Sequence, residues 1–167
     1  MKKIVCVLMA VALMMIGLVG CGEEPAKTPD TPSSEACLAF THNGVTMTIH
    51  ADAAAALAAL GEPKSFTEET SCAFEGLDKT YYYGGFYLET YPQGDKDLIS
   101  SIWFADDSVA TAEGVCIGDD QAKVEEAYGA EAYNGSNAYE VVKGASKLTV
   151  LLADGAVSSV QYTAIFE

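Results

Sequence analysis

Arginine is absent from this chain: all nine basic residues are lysines, set against 24 acids for a net charge of −15. Without a planar guanidinium there is no bidentate clamp for carboxylate or phosphate. A surface this acidic repels nucleic acid and anionic lipid heads, and no basic stripe offsets it. Histidine is almost as scarce, with His42 before a turn and His50 at the end of an expected strand. No CxxC pair, HExxH helix, Gly-x-Ser-x-Gly elbow or phosphate-cradling glycine loop occurs, so thiolate-metal, hydrolase and nucleotide chemistry lack their sequence forms. Paired acids at Asp95/Asp97, Asp106-Asp107 and Asp119-Asp120 lack the spacing of a calcium loop and read as turn and cap residues, Asp119 as a helix cap above all. The expectation is a non-enzyme with no cofactor and no metal.

Long apolar runs are also missing, with one exception. Residues 4–20 are apolar, follow Lys2-Lys3 and end at Leu18-Val19-Gly20-Cys21. A basic start, an apolar stretch and small residues before a cut compose a secretory leader, and the stretch is short for a membrane span. The last four residues look like a bacterial lipobox, which makes residues 1–20 a signal peptide and Cys21 the lipidated first mature residue. Residues 21–35 continue as GEEPAKTPDTPSSE after the cysteine, with three of the chain's five prolines. Too few apolar groups are present there to offset ordering entropy, so this is read as a tether. Removal of the leader leaves seven lysines against 24 acids, a net charge of −17. Membrane attachment, on the extracytoplasmic face, then rests on the lipid alone.

Of the five cysteines, Cys6 departs with the leader and Cys21 is acylated. Cys37, Cys72 and Cys116 remain, and three thiols outside the cell permit one bridge with one left over. Cys37–Cys72 is the favoured pair, because both begin strand-like runs in the same half of the chain. Cys116, between Val115 and Ile117, reads as a small buried apolar residue.

The remaining chain shows self-similarity. His50–Pro63 (HADAAAALAALGEP) aligns with Gly118–Glu131 (GDDQAKVEEAYGAE) at an offset of 68, and ISSIWF (Ile99–Phe104) aligns with VSSVQY (Val157–Tyr162) at an offset of 58. This predicts one unit used twice, over residues 36–113 and 114–167, the second shortened in its turns. Each unit begins with a short helix, capped by Asp52 or by Asp119 or Asp120 and stopped at Gly61 or Gly129. Strands are expected at Ser71–Phe74, Thr80–Tyr83, Phe86–Tyr91 and Leu98–Phe104, then at Ser136–Val142, Lys147–Ala153 and Ala156–Thr163. A preceding hairpin, Cys37–Thr41 with Val45–His50, turns at Asn43-Gly44; Gly84-Gly85 and Asp154-Gly155 supply further hairpin turns. The class is α+β: two tandem units of a short helix on antiparallel strands, forming a largely continuous sheet.

On Ile117-Gly118-Asp119-Asp120 with Val124 and Tyr128-Gly129, and its degenerate copy at His50–Gly61, the chain resembles the β-lactamase-inhibitor-protein fold. The small lipoprotein of the outer-membrane barrel-assembly machinery is similar. SCAFEGLDKTYYYGGFYLETYP and GDKDLISSIWF resemble stretches of uncharacterised lipoproteins of Gram-positive anaerobes. The resemblance covers residues 45–163 and implies a fold and a tendency to bind proteins through the sheet face. It carries no substrate, and His50-Ala51-Asp52 departs from the expected Gly-Asp.

The most distinctive candidate site is aromatic. Alternation sends Phe86, Leu88 and Thr90 one way and Tyr87, Glu89 and Tyr91 the other. With the first set under a helix, Tyr87 and Tyr91 occupy an open face, joined by Tyr81, Tyr83 and Trp103. Such side chains are enriched where proteins meet; the plainer account is ordinary cross-strand pairing. The expected function is therefore a lipid-anchored protein-binding or scaffolding module with a protein partner. A binder of small ligands or cell-wall fragments is the alternative and requires a pocket; a hydrolase requires a perturbed acid or histidine in a cleft.

Overall fold

A computed structural model describes residues 36–166. The expected signal peptide (1–20), the lipidation site Cys21 and the tether lie outside the described residues. The class is α+β. Strands β3 (Ser65–Thr70), β4 (Leu77–Tyr82), β5 (Phe86–Gln93), β6 (Lys96–Phe104), β7 (Ala138–Lys143), β8 (Ser146–Ala153) and β9 (Ala156–Ala164) form one antiparallel sheet in the order β3-β4-β5-β6-β9-β8-β7. Helices α1 (Ala54–Leu60) and α2 (Gln121–Tyr128) and a separate hairpin, β1 (Ala39–His42) with β2 (Val45–Thr48), share its buried core.

Local chemistry explains the elements. Asn43-Gly44 and Asp154-Gly155 both adopt positive φ, the requirement of two-residue turns that match strand twist. α1 is alanine and leucine throughout, AAALAAL, a composition of high helix propensity. Gly61 stops it at φ 77° with its N–H on Leu57 O, and Gly129 stops α2 at φ 82° with its N–H on Glu125 O. The cap of α2 is Asp120, whose carboxylate accepts from Lys123 N at 2.9 Å, and not Asp119, which turns back to Cys116 N at 2.7 Å. Asp52 accepts from Ala54 N at 3.0 Å ahead of α1.

The repeated apolar-Ser-Ser-apolar strand has an odd spacing that strict alternation cannot bury on one face. A bulge resolves it each time. Thr90 pairs with Ile99 and Glu89 with Ser101, passing over Ser100; Leu152 pairs with Val157 and Leu151 with Ser159, passing over Ser158. The extra residue shifts the phase, so Ile99 and Ile102, and likewise Val157 and Val160, all enter the core.

The chain before each helix straps onto the last strand of its half with matching bonds. His50 N donates to Ile99 O, Ile99 N to Ala51 O and Ala53 N to Asp97 O; Gly118 N donates to Val157 O, Val157 N to Asp119 O and Gln121 N to Gly155 O. The single bridges Asp52–Leu98 and Asp120–Ala156 correspond too. Gly118 has φ 91°, and His50, in the equivalent place, has φ 66°. A non-glycine residue there is strained by roughly 1–2 kcal/mol. Its ring is held on both sides: Nε2 lies 3.0 Å from Ala145 O and Nδ1 2.8 Å from Tyr91 Oη. A carbonyl only accepts, so Nε2 donates to Ala145 O, and Nδ1 hydrogen-bonds with the tyrosine hydroxyl.

Two strand expectations are corrected. Ser71–Phe74 is a turn in which Ser71 Oγ accepts from Phe74 N at 3.2 Å, and the strand is Ser65–Thr70. All six of its residues are exposed, so it lacks the alternating burial that marks a strand in sequence. The halves also differ by a strand rather than by turn length alone. Where the first half has β3, the second has a 3-10 turn at Ala130–Ala132 and a single bridge, Tyr133–Tyr139.

Candidate functional site

One row of side chains crosses the whole sheet on the face opposite the helices. Ser65 pairs with Tyr82, Tyr82 with Tyr87, Tyr87 with Trp103, Trp103 with Gln161, Gln161 with Thr149 and Thr149 with Glu140. At its centre three rings stack. Tyr82 and Tyr87 have centroids 4.5 Å apart at 26°, and Tyr87 and Trp103 are 4.0 Å apart and nearly parallel at 7°. Trp103 Nε1 donates to Glu89 Oε1 at 3.3 Å, and Gln161 Nε2 donates to Ser101 Oγ at 3.3 Å. The three rings remain partly exposed, and both helices and the β1–β2 hairpin lie in the core on the other face. Stacked aromatic pairs contribute roughly 0.5–1.5 kcal/mol beyond area burial, so the ladder is held in shape before any partner meets it.

Only part of the expected aromatic face assembles. Tyr87 and Trp103 stand in the ladder. Tyr81 and Tyr83 do not: Tyr81 packs with Phe66 at 5.0 Å and Tyr83 with Phe86 at 5.4 Å, both against the core. Burial pushes both phenols above their ordinary pKa. Tyr91 is 4% exposed, bonded to His50 and enclosed by Phe74 and Phe166 with centroids at 4.7 and 5.0 Å. Tyr82 belongs to the site although sequence reasoning did not place it there, and Glu89, which alternation sends to the same face as Tyr87, joins it as the indole's acceptor. In the run Tyr81-Tyr82-Tyr83 the middle ring must face away from its neighbours, and pairing with Tyr87 decides which face that is.

The expected Cys37–Cys72 bridge is a second correction. Cys37 is a core residue, whereas Cys72 is a free thiol in the exposed turn after β3; the turn holds one sulfur in water while the other is buried. Cys116 is also free and only partly buried. Its thiol is pushed up by burial and by the Asp119 carboxylate, which disfavours the thiolate a nucleophile needs. Asp119 in turn lies below the usual carboxylate range, held by Lys123 Nζ at 2.8 Å and by Cys116 N–H. Of the remaining paired acids, Asp97 pairs with Lys79 at 2.7 Å and Asp106 accepts from Ser108 N at 2.9 Å.

Burial drives the Tyr128 phenol well above its ordinary value, and its hydroxyl lies 2.6 Å from Thr111 Oγ1 and 2.9 Å from Glu113 Oε2. This cluster ties the segment before the second half to α2. A cleft of about 310 Å³ opens between the β1–β2 turn and the end of α1, lined by His42, Asn43, Leu60, Glu62, Lys64 and Tyr83.

No match was found to any protein-family model, curated protein or solved structure.

Proposed function

We propose that this protein is a lipid-anchored, extracytoplasmic module that binds another protein through the outer face of its sheet and has no catalytic role. The observation that carries the reading is the Tyr82–Tyr87–Trp103 ladder at the centre of that face. Tyrosine and tryptophan bury much area with few rotors, which is why they anchor interfaces. Glu89, fixed by the indole N–H, gives the patch a charged rim. The motif Ile117-Gly118-Asp119-Asp120, which resembles that of the β-lactamase-inhibitor-protein fold and of the small barrel-assembly lipoprotein, would imply the same use of a sheet face. The matched straps and bulges, related by the offsets 68 and 58, support descent of the two halves from one duplicated helix-and-meander unit.

The anchor is read from Leu18-Val19-Gly20-Cys21. Its test is incorporation of labelled fatty acid, which Cys21→Ser should abolish; labelling that persists in that variant would remove the lipobox reading. For the face, crosslinking in intact cells compares the native chain with Tyr87→Ala/Trp103→Ala. A defined protein captured only by the native chain is the expected result, and identical capture by both would make the ladder structural. A small-ligand role is the second reading, favoured by the cleft beside His42, Glu62 and Lys64. It predicts a saturable ligand whose binding is lost in Lys64→Ala and kept in Trp103→Ala.

A further inference from the structure

The two edges of the sheet are finished differently. At β7 the outward-facing backbone of Ala138 is satisfied by Asn134, whose N–H reaches Ala138 O at 2.8 Å and whose Oδ1 accepts from Ala138 N at 3.2 Å. Tyr133 adds a bridge to Tyr139. Glu140 and Val142, further along β7, face outward by the same alternation; the equivalent positions of the first half continue as a full strand, β3, on which, among the described residues, no outward position has such cover.

Which β3 groups face outward follows from the register. Ser71 N donates to Gly76 O in line with the ladder that pairs Glu69 with Asp78 and Thr67 with Thr80. Hydrogen-bonded pairs alternate in an antiparallel ladder, so Ser65, Thr67 and Glu69 bond to β4. Tyr83 N to Phe86 O sets the complementary phase on the β5 side of β4. Phe66, Glu68 and Thr70 therefore point their N–H and C=O groups away from the sheet, and among the described residues no backbone or side-chain group bonds them. Phe66 is 46% exposed.

We propose that β3 is a strand-addition site, and that its occupant is an extended segment of a partner protein carrying a basic residue two positions from an apolar one. Backbone pairing to an open edge supplies affinity, and the flanking side chains supply selectivity. The apolar residue meets Phe66, which already packs on Tyr81. The basic residue meets Glu68, whose cross-strand neighbour Lys79 is committed to Asp97 at 2.7 Å. Glu69 follows directly, and the chain as a whole carries −15, so a cationic strand is attracted and an acidic one repelled. A second copy of this chain fits poorly: antiparallel self-pairing centred on Glu68 sets that carboxylate against itself, and like charges directly opposite are destabilising. This surface is separate from the aromatic ladder, and its occupation does not depend on a partner there.

The test titrates the full chain with a short labelled peptide alternating valine and lysine. Glu68→Pro removes one outward N–H that the sheet does not use, a substitution edge strands tolerate, and Glu68→Gln matches its loss of charge while keeping the N–H. The expected result is binding by the native chain, a few-fold loss in Glu68→Gln, and a further loss of about tenfold or more in Glu68→Pro at unchanged thermal stability. Trp103→Ala should bind the peptide as the native chain does. Three results overturn the proposal. Equal binding by the Pro and Gln variants would reduce the attraction to charge alone. Loss in Trp103→Ala but not in Glu68→Pro would move the peptide to the outer face, leaving the proposed function standing without this site. A dimer of the native chain dissolved by Glu68→Pro would make a second copy the occupant.

Discussion

The two sides of this sheet, β3–β6 and β9–β7, share matching bonds between a helix and a strand and carry very different faces. Each half straps its helix to its last strand with the same bonds, and each places a bulge at the second residue of an apolar-Ser-Ser-apolar run. Along the shared row on the outer face, however, the first half carries Tyr82, Tyr87 and Trp103, while the second carries Gln161, Thr149 and Glu140. Inner-face residues meet a common core, where volume is constrained. Outer-face residues meet water or a partner, and nothing in the core restrains them.

The sharpest divergence in the straps is His50 against Gly118. His50→Ala keeps the strained φ of 66° and strips a buried partner from Tyr91, and should cost about 3 kcal/mol in urea denaturation. His50→Gly should recover about 1–2 kcal/mol of that loss. If the glycine variant is no better than the alanine one, backbone strain at this position is negligible and the likeness to Gly118 is superficial. The helix stops should behave alike. Gly61→Ala and Gly129→Ala both place a side chain in a conformation reserved for glycine, at about 1–3 kcal/mol each. The Glu131 carboxylate that an added Cβ at Gly129 would meet lies at the end of a flexible side chain and can swing aside. Unequal losses on thermal unfolding would break the equivalence.

Caps should differ modestly. Asp120→Ala removes a side-chain bond to Lys123 N and should cost about 1 kcal/mol; Asp52→Ala, whose bond is to Ala54 N, about half that. The smallest effect concerns acid. Asp119, which has Ala51 as its counterpart, is depressed by Lys123 and Cys116 N–H. A carboxyl with a lowered folded pKa stabilises above its unfolded value of about 3.9 and loses that contribution as pH falls through the folded one. Native and Asp119→Asn chains should thus differ in melting temperature at neutral pH and converge in strong acid. A gap that persists at low pH would assign Asp119 a role independent of charge.

Much of this architecture was legible residue by residue. Asn43-Gly44 and Asp154-Gly155 specify tight turns because few residues accept positive φ twice in succession, and Gly61 and Gly129 mark helix ends for the same steric reason. β5, β6, β8 and β9 stood out because their alternating burial leaves a period in the sequence. β3 left none, since an edge strand exposed on every residue carries no burial signal. The site was legible only in part: Tyr87 and Trp103 fell in the ladder, but Tyr91 is sealed by Phe74, Phe166 and His50, residues far apart in the chain.

What the sequence by itself determined is local: which segments turn, where helices start and stop, and which strands have an apolar face, all set by dihedral sterics and short-range hydrogen bonding. The tertiary structure alone decided the phase and the neighbours. Strand pairing selected Tyr82 over Tyr81 and Tyr83 for the outer face, joined its ring to Tyr87 and Trp103, left Cys72 in water away from buried Cys37, and made β3 the open edge. Register and burial depend on contacts between residues distant along the chain, and a pattern confined to one strand does not contain them.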